Sequence, residues 1–109
     1  MTNNDIILRL QALGPLPGDS SPQLETFPLL ELDSLLQQLT NPLSADHALA
    51  LLNLGCPPGT SAYEVEWALV HAAESISASG LRCILPLAAD TEVTRLVALR
   101  LANYDARQH

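Results

Sequence analysis

The 109-residue chain is long enough for a single domain with a modest hydrophobic core. Hydrophobic residues make up 48% of the sequence and charged residues only 16%, which is too apolar for a disordered acidic tail. The net charge of −7 comes from 12 acids, five arginines and no lysine, and it argues against binding to nucleic-acid phosphates or to an anionic membrane surface.

Eight of the 12 acids lie in a stretch that has no lysine or arginine. Between Leu10 and Leu81 the sequence holds eight carboxylates and neither lysine nor arginine. Such a segment cannot neutralise its acids by ion pairs within itself, so we expect an anionic surface on the folded protein. A partner attracted by charge should therefore be basic.

The sequence lacks the patterns of a membrane or secreted protein. No stretch approaches the ~18 consecutive apolar residues of a membrane span. The segment from Met1 to Asp5 has no basic region of a signal peptide. We therefore expect a cytoplasmic protein in which Cys56 and Cys83 are reduced thiols of the core.

Helical periodicity runs through most of the chain. Leucine fills 23 of the 109 positions, and a leucine-rich chain favours helix. Asn3 or Asn4 is expected to cap the first helix, Pro28 fits the first turn of the second, and Ser44 can cap the third. In chain order, apolar residues at helical spacing predict helices over 4–13, 28–40, 45–54, 62–79 and 91–104.

Glycine and proline clusters separate these helices. Residues 14–22, which are rich in both, are predicted to form a flexible loop. The apolar segment 81–87 contains Pro86 and is either a short strand or an extended linker. These elements together predict an all-α fold, a single domain over residues 1–109 that forms a small bundle of four to five helices.

The helix predicted over 62–79 carries two different faces on a helical wheel. The expected core face consists of small and branched apolar residues, namely Ala62, Val65, Ala68, Leu69, Ala72, Ala73 and Ile76. The opposite side, with Glu66 beside it, holds Tyr63, Glu64, Trp67, Val70, His71 and Glu74. Because interface hot spots favour Trp and Tyr ringed by polar residues, this side is predicted to bind a partner. The alternative is that a second helix covers Trp67 and makes it part of the core.

Arg100 falls on the apolar side of the last predicted helix, between Leu96 and Val97 on the wheel. One interpretation is that its stem lies on the edge of the core while the guanidinium reaches water. The other is that Arg100 pairs with one of the acids of another helix or of another subunit.

The sequence Leu32-Asp33-Ser34-Leu35 resembles the attachment motif of acyl and peptidyl carrier proteins, although the glycine that usually precedes the aspartate is Leu32 here. Members of that family are also small, acidic and helical, and they carry phosphopantetheine on the serine at the start of their second helix. The resemblance implies a carrier protein modified at Ser34, which is the alternative to a binding module.

Catalytic and metal-binding patterns are missing from the sequence. The spacings of His47, Cys56, His71 and Cys83 match no closely paired ligand motif, and there is no glycine-rich phosphate loop. We therefore expect no enzyme, no cofactor and no metal. The leading hypothesis is a protein-binding module for a basic or amphipathic partner. It would be either a small chaperone or adaptor, or an immunity-type inhibitor, and a homodimer would cover part of its apolar surface.

Overall fold

The computed structural model describes residues 2–19, 21–61 and 64–107, with the backbone alone at Leu24 and Glu64. Within these residues the protein is all-α and contains no strand. This confirms the predicted fold class, although the six α-helices exceed the expected four to five. They are α1 (Asn3–Leu13), α2 (Leu29–Gln37), α3 (Ala45–Leu52), α4 (Glu64–Ala73), α5 (Ala78–Ile84) and α6 (Glu92–Arg107). Two 3₁₀ turns, Pro22–Glu25 and Leu85–Leu87, complete the order.

Short polar side chains begin these helices. Thr2, rather than an asparagine, caps α1: its hydroxyl accepts from the Asp5 amide, and the Asp5 carboxylate accepts from the Thr2 amide. Ser44 caps α3 as predicted. Thr91 caps α6 by accepting from the Thr94 amide at 3.1 Å.

The helix predicted over 62–79 is two helices in the structure, α4 and α5. The Ser75 hydroxyl donates to the Ala72 carbonyl at 2.8 Å, and the Ser77 side chain accepts from the Gly80 amide at 3.1 Å. Serines compete in this way with helical hydrogen bonds, which ends α4 and caps α5. Gly80 therefore lies inside α5 and does not end a helix. Ala62, at the predicted start, lies outside the described residues.

The segment 81–87 is neither strand nor extended linker, so that prediction is wrong. A new helix, α5, begins at Ala78 and includes residues 81–84 of this segment. The 3₁₀ turn Leu85–Leu87 forms the rest of it. Pro86 sits in the first turn of this 3₁₀ segment, where a missing amide hydrogen costs nothing.

The core forms around α4, which packs against α2, α3 and α6. Helix α1 packs against α2 and α3, and α3 also contacts α5. Each fully buried aliphatic side chain contributes about 1.5–3 kcal/mol relative to exposure. The large side chains with less than 2% exposure are Ile6, Leu10, Leu32, Leu51, Leu52, Leu69, Val70, Val93 and Val97, together with Cys56 and, at that limit, Leu16.

The segment between α1 and the first 3₁₀ turn is irregular, as predicted, but it is attached to the helices. The Leu16 amide donates to the Leu54 carbonyl at 2.8 Å, and the Leu16 side chain is buried. Gly18 packs directly on Thr60: a β-carbon at Gly18 would lie 2.2 Å from the Thr60 hydroxyl. The segment thus rests on the turn formed by residues 57–61. Its predicted flexibility stays a prediction.

The two cysteines differ in burial and are both free thiols. Cys56 lies in the core as predicted. Cys83 is exposed on α5, whose buried positions are Leu81 and Ile84, so its placement in the core was wrong. No helix in the described parts of the chain is both long and apolar enough to cross a membrane.

Candidate functional site: the Trp67 cluster

The predicted partner-binding face is only partly present on α4. The Trp67 side chain is 44% exposed, His71 is exposed and Glu74 is half-buried. Tyr63 and the side chain of Glu64 lie outside the described residues. Val70 is fully buried, so its assignment to the exposed face is wrong.

Val70 is buried because α4 has neighbours on three sides. A helical wheel with one apolar arc assumes that only one side is covered, whereas α2, α3 and α6 together enclose a wider arc. Glu66 is affected in the same way and is only 4% exposed. Its carboxylate lies 4.0 Å from the Cys56 sulfur, inside the protein. Glu66 therefore does not contribute to the exposed acidic side chains that were predicted around Trp67.

The exposed part of this face is a compact group of four side chains, Trp67, His71, Glu74 and Arg100, which we call the Trp67 cluster. The guanidinium carbon of Arg100 lies 5.8 Å from the centre of the Trp67 ring, within cation–π range. The Arg100 Nε–H donates to the Glu74 carboxylate at 2.7 Å, and this hydrogen bond raises the pKa of Arg100 above its ordinary value. The His71 ring centre lies 6.1 Å from that of Trp67.

These contacts decide between the two interpretations of Arg100. The side chain forms an ion pair across helices, from α6 to the residue that follows α4, which confirms the second interpretation. The Arg100 side chain nevertheless stays 46% exposed, and that of Glu74 is 21% exposed. The ion pair therefore lies at the surface, where water can reach it.

A groove of about 520 Å³ begins at this ion pair and continues between α5 and α6. We call it the α5–α6 groove. Glu74 and Arg100 belong to both the cluster and the groove, so the two features form one continuous surface. Tyr104, at the end of the helix predicted over 91–104, is 50% exposed here. The remaining lining residues are Ile76, Ala78, Leu81, Leu101, Asn103 and Arg107.

Ion pairs bring three of the five arginines together with acids on the α4–α6 side of the molecule. Arg82 pairs with Asp105, and Arg95 pairs with Glu92, in addition to the pair in the Trp67 cluster. The exposed acids on the other elements are Asp5 of α1, Asp19, Glu25, Glu31 of α2 and Asp46 of α3. The excess negative charge is thus carried mainly by elements that do not line the groove.

A second polar group, which the sequence analysis missed, lies beneath the turn of residues 57–61. Glu92 is 5% exposed and accepts from the Gly59 amide at 2.9 Å and from the Arg95 Nε–H at 2.8 Å. The hydrogen bonds from Arg95 hold the pKa of Glu92 below its ordinary value. Burial raises the pKa of the neighbouring Cys56 thiol.

This buried group ties the turn to the start of α6 and is suited to stability more than to catalysis. A signal was present in the sequence: Glu92 and Arg95 stand three residues apart in the first turn of a helix, where such pairs form. Their contact with Gly59 depends on the tertiary structure. Among the residues that the structure describes, no group of three or more His, Cys, Asp and Glu side chains could hold a metal ion.

Two other surface features compete with the Trp67 cluster. A groove of about 410 Å³ between α1 and α3 includes Leu8, which is 65% exposed, and His47, whose ring contacts Asn4. Ser34 is exposed on α2, but it lies within the helix and not at its start, unlike the serine that the resemblance to carrier proteins implies.

Comparisons of this chain with protein-family models, with curated proteins and with solved structures found no match.

Proposed function

We propose that the protein is a non-enzymatic binding module that docks a basic, amphipathic helix of another protein on the Trp67 cluster and the α5–α6 groove. The observation that supports this most directly is the position of Trp67. The only tryptophan of the chain is 44% exposed and contacts the Arg100 guanidinium, and Arg100 also lines an open groove.

An exposed tryptophan in a fixed position is well suited to binding. Tryptophan is enriched among the residues that dominate interface energies, because it buries a large apolar area with few rotatable bonds. Trp67 is carried by α4, which packs against three other helices, so its backbone is fixed before a partner arrives and the entropic cost of docking is lowered. Ile76, Leu101 and the half-exposed Tyr104 of the groove offer apolar contacts to the other side chains of the partner.

Charge supports a basic partner. The net charge of −7 attracts cationic segments over distances of about one Debye length, ~8 Å at physiological salt. The acids that create this field lie mainly on elements outside the groove, whose own lining carries Glu74, Arg100 and Arg107, so the field supports arginines or lysines on the polar face of a helix whose apolar face contacts the groove. Of the two kinds of binding module expected from the sequence, the groove favours a cytoplasmic chaperone or adaptor over an inhibitor. An inhibitor of one enzyme would require no such groove for helices.

Synthetic peptides provide the test. An amphipathic peptide of about 18 residues, or five helical turns, is made in two forms that differ only in having arginine or glutamate on the polar face. Because Trp67 is the sole tryptophan, its fluorescence reports binding directly. We expect the arginine form to shift the Trp67 emission, to bind more weakly as salt is raised, and to bind better than the glutamate form.

Two variants show where the peptide binds. By calorimetry, Trp67→Ala should lose at least tenfold in affinity, equivalent to about 1.4 kcal/mol. Leu30→Ala removes a side chain that is 88% exposed on α2 but lines neither groove, and should bind like the wild type. Equal binding of both peptide forms, or an equal loss in both variants, would refute the proposed function.

A further inference from the structure

We propose that Arg100 occupies, in the free protein, the position that an arginine of the partner takes in the complex. This inference rests on the proposed function and specifies its partner chemistry. Arg100 would then act as an internal competitor, and the partner helix would replace it with a guanidinium of its own.

The site that holds Arg100 has the two components that recognise a guanidinium. Trp67 provides an aromatic face at 5.8 Å from the guanidinium carbon, and Glu74 provides a carboxylate at 2.7 Å from Nε. Arginine is the cation that best combines stacking on an aromatic ring with hydrogen bonds to a carboxylate. The two receptor residues stand seven positions apart, two helical turns, and so project to the same side of the chain.

Arg100 belongs to α6, whereas Trp67 belongs to α4 and Glu74 follows α4 directly. The Arg100 side chain also remains partly exposed, at 46%, and exposed ion pairs contribute little to stability because water competes for both partners. Exchanging one guanidinium for another therefore costs little. The stretch from Leu10 to Leu81, which includes Trp67 and Glu74, has no lysine or arginine, so a guanidinium at this site comes from another part of the chain or from a partner.

The lining of the α5–α6 groove indicates which kind of residue should lie beside the arginine of the partner helix. Besides Glu74 and Arg100, the lining includes Leu101 and Tyr104, which is 50% exposed. A partner helix that places an arginine at Trp67 would place residues three or four positions along the same face towards this apolar lining. The partner is therefore an amphipathic helix with an arginine at the end of its apolar stripe.

The test compares two arginine variants of the full chain. Arg100→Leu keeps an apolar side chain beside Trp67 and removes the guanidinium. Arg82→Leu is the matched control, because Arg82 is 48% exposed, forms an ion pair with Asp105 across helices, and does not line the groove. Both changes make the net charge more negative by one. Circular dichroism verifies folding, and Arg100→Gln, which retains length without charge, serves as a second variant.

The probe is the arginine peptide described above, together with a copy in which citrulline, a neutral isostere, replaces the arginine nearest the apolar stripe. We expect Arg100→Leu and Arg100→Gln to bind the arginine peptide about fivefold more tightly than the wild type. Arg82→Leu should stay within about twofold. The gain should disappear with the citrulline peptide.

Each alternative result has a definite meaning. An equal gain in the Arg82 and Arg100 variants would show an effect of net charge and would overturn the proposal. No gain in either Arg100 variant, with Trp67-dependent binding intact, would overturn it while leaving the proposed function standing. If neither the wild type nor the Arg100 variants bind either peptide, both the proposal and the proposed function fail.

Discussion

Replacing Glu92 should reveal how strongly the buried polar group beneath the turn of residues 57–61 stabilises the fold. Glu92→Gln keeps the shape of the side chain and its ability to accept from the Gly59 amide, but it removes the negative charge. The variant loses the ion pair with Arg95: an amide –NH2 replaces Oε2, which accepts from a terminal nitrogen of Arg95, while Oε1, which accepts from the Gly59 amide and from Arg95 Nε–H at 2.8 Å, stays an acceptor.

The expected loss in the free energy of unfolding follows from the different burial of Glu92 and Arg95. Breaking a fully buried ion pair costs about 3–5 kcal/mol, because the remaining charge is left without water. The Arg95 side chain is 53% exposed and would be rehydrated, whereas that of Glu92 is 7% exposed. We therefore expect a smaller loss, about 1–2 kcal/mol, near the lower limit of the ~1.5–3 kcal/mol that hydrogen bonds to charged groups contribute. Such a loss is substantial against a total of about 5–15 kcal/mol.

The same carboxylate makes stability depend on pH, with a defined sign. The pKa of Glu92 is lower in the folded protein than its ordinary value of 4.5. Its contribution is therefore complete above the pKa of the unfolded chain and is lost as pH falls through the lower folded pKa. Protonation below about pH 4.5 should weaken the wild type, and Glu92→Gln should lack this component of the acid destabilisation.

Urea unfolding followed by circular dichroism, at neutral pH and again below pH 4.5, measures both effects. Glu31→Gln, which removes an exposed carboxylate on α2, is the control and should change stability by less than about 0.5 kcal/mol. A Glu92→Gln protein as stable as that control at neutral pH would refute the role assigned to the buried pair.

Three further predictions concern other parts of the molecule. Trp67→Ala should lower the free energy of unfolding by about 1–2 kcal/mol; a loss of about 3–5 kcal/mol, typical of buried tryptophan, would contradict its place at the surface. Gly18→Ala should cost about 1–3 kcal/mol, because the new β-carbon would overlap Thr60. Adding Thr60→Gly to the Gly18→Ala chain should restore part of the lost stability. If stability does not recover, overlap with Thr60 is not the cause of the loss. Co-expression with a phosphopantetheinyl transferase should leave Ser34 unmodified by mass spectrometry; a covalent adduct on Ser34 would support the carrier function instead.

Local features of the sequence were sufficient to predict much of the helical structure. The capping serine of α3 and the apolar repeats of α1, α2 and α6 are properties of neighbouring residues, and they placed these helices to within a few positions. The division of 62–79 into two helices was missed because Ser75 and Ser77 are compatible with a helix as single residues. Their hydrogen bonds to Ala72 and Gly80 show where one helix ends and the next begins.

The candidate site was predicted less well, since it depends on which helices meet. A wheel drawn for one helix identified Trp67, His71 and Glu74 but also assigned Val70 and Glu66 to the exposed side. Both are buried because α4 has three neighbouring helices.

The amino-acid sequence by itself determined the helical class, the excess of negative charge and the supply of a single tryptophan, because these follow from composition and local propensity. Only the tertiary structure decided that Arg100 of α6 reaches both Trp67 and Glu74, and that most exposed acids lie away from the groove. Those arrangements depend on how the helices pack, and residues distant in the chain become neighbours only after the core has formed.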